Sequence, residues 1–144
     1  MKIAALQMVS TPDVVRNLEA ARRLIAQAAA QGARLVALPE YFCLLGRHDT
    51  DKLHLAEVPL CDVGKRPEAG VGTQRAPIQQ ALSDAAREHQ LWLIGGTLPL
   101  RTSDPQRVRN SSCVFAPDGS LAARYDKMHM FDVALPGGET WRWL

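Results

Sequence analysis

The fold is best understood from the segment Leu35-Val36-Ala37-Leu38-Pro39-Glu40-Tyr41-Phe42. It begins as a short apolar run of the kind found in buried strands, and the run stops at a proline. Pro39 has no backbone N–H to donate to a sheet ladder, so the strand is expected to end there. Glu40 is then a carboxylate at the end of a buried strand, which is where α/β proteins usually build their active sites.

Glu40 has two interpretations on this segment alone. A carboxylate that is partly desolvated at a strand end is suited to act as a general base. The alternative is a loop acid whose charge is satisfied by backbone N–H groups or by an arginine, since perturbed carboxylates also occur in structural networks. The segment favours neither interpretation, and the rest of the chain has to decide between them.

The residues before this segment form a βαβ pattern with it. Residues 2–9 are predicted to be a strand buried on both faces, and Ser10 or Thr11 is suited to cap the helix that follows. The apolar positions of that helix recur at helical spacing and are Val14, Leu18, Ala21, Ile25 and Ala28. Gly32 is a natural C-terminal stop. A strand over residues 34–38 completes the unit, and the helical crossover favours a parallel strand pair.

A long irregular segment separates this unit from a second helix. Glycine and proline interrupt residues 43–75, and a connection of this length is usually functional or mobile. We therefore predict a partly flexible active-site loop, with a short helix at residues 53–57. The second helix begins near Thr73 or Pro77. Its inward face is predicted to hold Ile78, Leu82, Ala85 and His89, and its outward face Gln79, Asp84, Arg87 and Glu88.

Three further strands are predicted after the second helix. Residues 91–100 form one of them, in which Gly95 and Gly96 indicate a bulge or the close approach of another backbone segment. Residues 108–115 and 121–125 form a hairpin around a tight turn. Parallel and antiparallel neighbours are therefore expected in one mixed sheet, with the helices on one face. The predicted class is α/β.

Composition narrows the class of protein. A chain of 144 residues has about one domain's length, and 47% hydrophobic with 22% charged residues is ordinary for a soluble globular protein. A formal charge of +2 with scattered basic residues favours no nucleic-acid partner, and no apolar run is long enough to span a bilayer. Three cysteines at unrelated spacings favour a cytoplasmic location, and no Cys/His cluster indicates a metal site.

A second informative stretch is Arg124-Tyr125-Asp126-Lys127-Met128-His129-Met130-Phe131-Asp132. Lys127 lies at the end of a strand, and a buried ammonium is costly there unless it is paired. Glu40 and Lys127 are able to meet if their strands are neighbours. Such a pair would take up a proton and stabilise a developing oxyanion, as acyl transfer requires. A structural ion pair is the alternative, and composition alone favours it.

Several motifs follow one another in a fixed order along the chain. They are Ile3-Ala4-Ala5-Leu6-Gln7-Met8, Leu38-Pro39-Glu40, Trp92-Leu93-Ile94-Gly95-Gly96, Arg109-Asn110-Ser111-Ser112, Pro117-Asp118-Gly119 and the stretch around Lys127. In this order they resemble the carbon–nitrogen hydrolase (nitrilase) superfamily. The resemblance covers nearly the whole chain, is weakest over residues 47–75, and is greatest to the amidase branch that contains omega-amidases and deaminated-glutathione amidases.

The resemblance implies both a fold and a chemistry. The fold is an α-β-β-α sandwich with a mixed sheet, of which residues 1–144 would be the N-terminal part in a single, truncated domain. The chemistry uses a Glu-Lys-Cys triad, in which Glu40 matches the general base and Lys127 the lysine that stabilises the tetrahedral intermediate. The family's cysteine attacks an amide or nitrile carbon, ammonia or an amine leaves, and water resolves the thioester. No metal or organic cofactor takes part.

The family's nucleophilic cysteine has no match in this sequence. It lies at a strand-to-helix elbow well downstream of the lysine motif, and we expect that segment to be missing from the 144 residues. Glu139 follows the lysine stretch too closely to match the family's second glutamate. Cys113 is interpreted as a core residue, and Cys61 lies in the irregular segment without an obvious base. Cys43 is the remaining candidate thiol.

Three functional hypotheses follow from these observations. The first is hydrolysis of the amide of a small carboxylate, with the nucleophile absent from this chain. The second is a non-catalytic remnant or interaction module that pairs with itself or with a full-length relative, because half a sandwich would expose an apolar sheet face. A homo-oligomer is expected, and the expected small-molecule partner is an amide or nitrile. A third interpretation, a small thiol enzyme built from Cys43 and Glu40, predicts selective alkylation of Cys43.

Overall fold

One mixed sheet of six strands organises the part of the chain that the structure describes. The computed structural model describes residues 1–48, 50–67, 76–129, 132–134 and 140–142. In chain order the elements are β1 (Ile3–Ala5), α1 (Val14–Ala30), β2 (Leu35–Ala37), α2 (Asp51–Leu55), α3 (Pro77–Glu88), β3 (Trp92–Ile94), β4 (Leu98–Arg101), β5 (Val108–Phe115), β6 (Leu121–Asp126), β7 (Asp132–Ala134) and β8 (Thr140–Arg142). β7 and β8 pair with each other in a separate two-stranded sheet.

The strand pairing confirms the predicted mixture of parallel and antiparallel neighbours. β1, β2 and β3 run parallel, with Val36 opposite Ala4 on one side and Leu93 on the other. β5 is antiparallel to β3, β4 and β6. β3 and β4 pair with opposite ends of β5, so they lie end to end along one edge of it while β6 takes the other edge. The predicted strand over residues 91–100 is therefore two strands, interrupted at Gly95 and Gly96.

Both long helices cover the same face of the sheet. The crossovers from β1 to β2 and from β2 to β3 advance in the same direction, so right-handed connections put α1 and α3 on one side, where they contact each other. The fully buried side chains of Val36, Leu93 and Phe115 face these helices. Among the described residues, no helix is long and apolar enough to cross a membrane.

The opposite face of the sheet carries apolar side chains that remain accessible. Strand alternation puts Ile3, Trp92 and Tyr125 on this side, and they are 60%, 41% and 56% exposed. We call this surface, defined by these three residues, the open face. Apolar side chains are thus accessible on the face of the sheet that the two long helices leave uncovered.

Local capping differs from the prediction at the start of α1. Helix α1 is capped by Asp13, whose side chain accepts the backbone N–H of Arg16, and not by Ser10 or Thr11. The Thr11 hydroxyl instead donates to the Asn17 side chain. The expected stop is confirmed, since Gly32 follows α1 with a φ of +84°. Helix α3 begins at Pro77, whereas Thr73 lies outside the described residues.

Buried Glu57 ties the described part of the irregular segment to α3. Its carboxylate accepts the backbone N–H groups of Ile78 at 2.6 Å and Gln79 at 3.1 Å, at the positive end of the α3 dipole. Burial raises the pKa of Glu57, and these hydrogen bonds oppose the rise. Gln79, predicted to face outward, is instead buried because its side-chain amide also donates to Glu57. The predicted short helix forms slightly earlier, as α2.

The backbone at Gly96 makes the predicted close approach. Gly96 has a φ of +56°, and a Cβ at this position would overlap the carbonyl oxygen of Pro39. The Leu38 N–H donates to the Ile94 carbonyl at 3.0 Å, so the backbone after β2 stays hydrogen-bonded to β3 as far as Ile94, the last residue of β3. The Tyr41 N–H then donates to the Thr97 hydroxyl at 2.9 Å. The chain that leaves β2 therefore crosses over the end of β3, and it carries Glu40 with it.

Replacing Gly96 with alanine tests this crossing. A left-handed backbone costs a non-glycine residue about 1–2 kcal/mol, and the clash with Pro39 adds to it, so we expect Gly96→Ala to lower the free energy of unfolding by about 3 kcal/mol. Urea denaturation measures the loss. Gly32→Ala is the matched control, because Gly32 also has a positive φ but has no atom within 4 Å of the place that an alanine methyl would take; we expect it to cost about 1 kcal/mol. Equal losses in the two variants would contradict the crossing.

Candidate active site

Glu40 and Lys127 meet at the sheet edge where the crossing ends. The Lys127 Nζ donates to the Glu40 Oε1 at 3.1 Å. The side chains of Glu40 and Lys127 are 53% and 42% exposed, so the pair is open to solvent on one side. Lys127 is thus not the buried ammonium that the sequence suggested. An exposed ion pair of this kind contributes at most about 1 kcal/mol to stability, which makes a purely structural role a weak explanation of the contact.

The route by which the two residues meet differs from the one predicted. Their contact was expected if β2 and β6 were neighbours, but β3 and β5 lie between these strands. Glu40 spans the gap because β3 stops at Ile94 and the chain after β2 passes over that end at Gly96. The predicted contact between Glu40 and Lys127 is therefore observed, although the strands that they follow are not neighbours.

Asp126 and its partners hold the backbone at Lys127 in place. Asp126 accepts hydrogen bonds from the Ser111 hydroxyl and from the Arg109 guanidinium, each at 2.7 Å. Burial alone raises the pKa of Asp126, but the hydrogen bonds from Ser111 and Arg109 outweigh it and hold the pKa below its ordinary value. The Lys127 N–H donates to the Asn110 carbonyl at 2.9 Å, which continues the β5–β6 ladder by one residue. Lys127 is therefore fixed at its backbone while its ammonium reaches Glu40.

Asn110 is a third member of this cluster, and its place in the site was not predicted from the sequence. Its Nδ2 donates to the Glu40 Oε1 at 2.8 Å. The Arg109-Asn110-Ser111-Ser112 motif was the only available signal, because nothing local relates the middle of one strand to the end of another 70 residues earlier. Only the tertiary fold brings Asn110 to Glu40.

None of the three cysteines is presented to this pair as a thiolate. Cys43 is fully buried, and burial, assisted by the charge of Glu57, raises the pKa of its thiol to about 12. Cys113 is a buried core residue, as predicted, and burial raises the pKa of its thiol to about 12. Cys61 is half-buried, and burial raises the pKa of its thiol as well. Cys43 therefore does not fit the role of an activated nucleophile.

The arrangement offers two complementary chemical groups to a small molecule. The Glu40 carboxylate is a proton acceptor, and the adjacent ammonium of Lys127 is a cation that can stabilise a developing negative charge. Among the described residues, no group of three or more His, Cys, Asp or Glu side chains is placed to hold a metal ion.

Comparison with known proteins places the chain in a family. Residues 2–142 match the family model described as "Carbon-nitrogen hydrolase". The chain belongs to the carbon–nitrogen hydrolase family. It is 33% identical over 135 residues to the chloroplastic omega-amidase of Arabidopsis thaliana, and the aligned residues make up 94% of this chain and 33% of the relative. It is 35% identical over 139 residues to the deaminated glutathione amidase of Synechocystis, and the aligned residues make up 96% of this chain and 45% of the relative.

Solved structures of family members agree with the fold. The C. elegans NitFhit protein matches with a TM-score of 0.71 at 28% identity, over 97% of this chain and 31% of that one. Saccharomyces cerevisiae Nit3, a member of branch 10 of the nitrilase superfamily, matches with a TM-score of 0.67 at 27% identity, over 84% of this chain and 41% of that one. The α/β class with a mixed sheet is thereby confirmed. The carbon–nitrogen hydrolase chain spans less than half the length of these relatives.

Thiol labelling of the folded chain tests the cysteine environments. We expect Cys61 to react first with iodoacetamide at neutral pH, because Cys43 and Cys113 are buried and protonated. Peptide mass spectrometry after a time course locates the label. In urea all three thiols are expected to react at similar rates, which is the control for intrinsic reactivity. Fast and selective alkylation of Cys43 in the folded chain would instead support a thiol enzyme built on Cys43 and Glu40.

Proposed function

We propose that this chain supplies the general base and the oxyanion-stabilising cation of an amidase that hydrolyses the amide of a small carboxylate. The observation that carries the proposal is the 3.1 Å contact between Lys127 Nζ and Glu40 Oε1 at an open sheet edge. The reaction class is supported by the omega-amidase and the deaminated glutathione amidase among its relatives. Glu40 and Lys127 are the residues assigned to catalysis.

The proposed chemistry proceeds through a thioester. Glu40 takes the proton of a cysteine thiol as its sulfur attacks the amide carbon, and Lys127 stabilises the negative charge that forms on the carbonyl oxygen. Glu40 then returns the proton to the leaving nitrogen, which departs as ammonia when the carbon–nitrogen bond breaks. In the second half, Glu40 takes a proton from water, the hydroxyl attacks the thioester carbon, and the proton returns to the departing sulfur. Carboxylic acid and free thiol are the products.

The nucleophilic cysteine is proposed to lie outside these 144 residues. Two of the three cysteines are buried with the pKa of each thiol raised to about 12. The third, Cys61, donates its thiol to the Lys65 carbonyl in the irregular segment. Residues beyond this chain, or a separate polypeptide of the family, would therefore bring the thiol to Glu40.

Turnover of a simple substrate tests the proposal. We expect the 144-residue chain to release no ammonia from succinamate or glutaramate, and a version extended through a cysteine-bearing family elbow to release it. In the extended version, Glu40→Gln and Lys127→Met are expected to lower kcat by roughly 100-fold or more, since each removes a group used in the transition state. A coupled ammonia assay measures the rates.

Replacement of the native cysteines is the control for this experiment. Serine at positions 43, 61 and 113 is expected to leave the turnover of the extended version within about threefold, because none of these thiols takes part in the reaction. The proposal would be overturned if the 144-residue chain hydrolysed the amide and retained that activity after all three replacements.

A second candidate function, an interaction module that forms a homo-oligomer, is favoured by the open face. Ile3, Trp92 and Tyr125 form an accessible apolar surface on one side of a sheet. Exposed apolar side chains that share one face, and exposed tryptophan above all, are typical of surfaces that bind another protein. We propose that two copies of the chain pair through this face.

Sedimentation velocity tests the pairing. We expect the chain to be dimeric, and Trp92→Glu to weaken the dimer by about 30-fold in Kd, the equivalent of about 2 kcal/mol for the loss of a central aromatic contact. Val15→Glu is the matched control, because Val15 is an apolar residue on α1 that is more accessible than Trp92, at 67% against 41%, and it lies off the open face. A chain that stays monomeric at every concentration would exclude the dimer.

A further inference from the structure

We propose that Asn110 is the positioning residue of the Glu40–Lys127 pair and that it gives the two oxygens of Glu40 different tasks. Oε1 is the anchored atom that holds the ion pair, and Oε2 is the atom that takes and returns the proton. The assignment rests on the proposed function of Glu40 as a general base. It adds Asn110 as a positioning residue and identifies Oε2 as the oxygen of Glu40 that carries the proton.

Asn110 contacts both members of the pair with different parts of the same residue. Its side-chain Nδ2 donates to Glu40 Oε1 at 2.8 Å, and its backbone carbonyl accepts the Lys127 N–H at 2.9 Å. Asn110 itself lies within β5, opposite Pro99 of β4 and one residue before Ser111, which pairs with Asp126 of β6. A residue held on both sides by a sheet is a rigid reference point. Asn110 therefore fixes the carboxylate and the lysine backbone relative to each other.

The hydrogen bonds distinguish the two oxygens of Glu40. Oε1 accepts from both Asn110 Nδ2 and Lys127 Nζ, and two donors fill the two lone-pair directions of a carboxylate oxygen. No hydrogen bond to Oε2 is found among the described residues. Oε1 is therefore occupied by donors, and among the described residues Oε2 is the oxygen left open to a proton. A proton delivered to Glu40 consequently goes to Oε2.

Asn110 is needed because Glu40 and Lys127 would not hold this arrangement by themselves. Both side chains are long and about half exposed, and an ion pair between two such side chains loses much of its energy to side-chain entropy and solvent screening. The amide of Asn110 is short, starts from a strand, and makes a charge-assisted hydrogen bond to the carboxylate. It prevents the carboxylate from rotating and exchanging its two oxygens.

The first measurement uses the 144-residue chain and needs no turnover. In an ¹⁵N-labelled sample, we expect one of the two side-chain amide protons of Asn110 to resonate downfield, and Glu40→Ala to remove this shift. Glu88→Ala is the control, because it deletes a carboxylate that is exposed at the end of α3. Asn110 amide signals that do not respond to Glu40→Ala would overturn the proposal.

The second measurement uses the extended, active version. Asn110→Asp keeps the size of the side chain and the backbone carbonyl, but it puts a second carboxylate against Oε1 in place of the donor. We expect kcat to fall by about 30-fold or more with KM within about threefold, because positioning of the base is lost while substrate binding is kept.

The matched control makes the same exchange of an amide for a carboxylate away from the site. Gln106→Glu changes an exposed residue in the turn between β4 and β5, and it is expected to stay within about threefold of the parent kcat. Equal losses in the two variants would mean that charge alone is responsible and would overturn the role of Asn110. An inactive extended parent would count against the proposed function, and the amide signals of Asn110 alone would then decide whether it positions Glu40.

Discussion

The site depends on one backbone crossing, in which the carbonyl oxygen of Pro39 lies against the Cα of Gly96. A side chain at Gly96 would hold these two segments apart, so the absence of a Cβ is what lets the chain after β2 pass over the end of β3. Glu40 follows immediately and is thereby carried across the width of a strand. Without the crossing, Glu40 would stay at the end of β2, with β3 and β5 between it and the end of β6.

Strand β5 carries Asn110, the residue that Glu40 contacts after the crossing. It pairs with β3 and β4 on one edge and with β6 on the other, so it is the strand to which most of the sheet is attached. Asn110 in this strand contacts the residue that arrives from β2 and the residue that leaves β6. Asp126, held by Ser111 and Arg109, fixes the same end of β6. A central strand with ladders on both edges is a rigid support for a site of a few polar side chains.

Patterns with a local cause were predicted well. The apolar spacing of α1, the stop at Gly32, the hairpin of β5 and β6, and the end of β2 before Pro39 each follow from residues close together in the chain. Predictions that depended on distant partners were wrong or incomplete. Gln79 is buried because its side-chain amide donates to Glu57, which comes from another segment 22 residues earlier. The cap of α1 was missed for a local reason, because the Thr11 hydroxyl is engaged by Asn17 six residues later and Asp13 accepts the Arg16 N–H instead.

Sequence alone was enough to establish the order and kind of the elements from β1 to α3, the β5–β6 hairpin, the strand end that presents Glu40, and the membership in a carbon–nitrogen hydrolase family that its motifs indicated. It did not predict the division between β3 and β4 or the β7–β8 pair. The folded chain was needed to see that Glu40 and Lys127 share one oxygen with Asn110, and that the thiols of Cys43 and Cys113 are buried and protonated. The physical reason is the distance along the chain between the residues that determine each feature. Strand ends and helix faces are set by backbone chemistry and spacing within a few residues, whereas burial and the convergence of side chains 70 and 87 positions apart exist only once the sheet has formed.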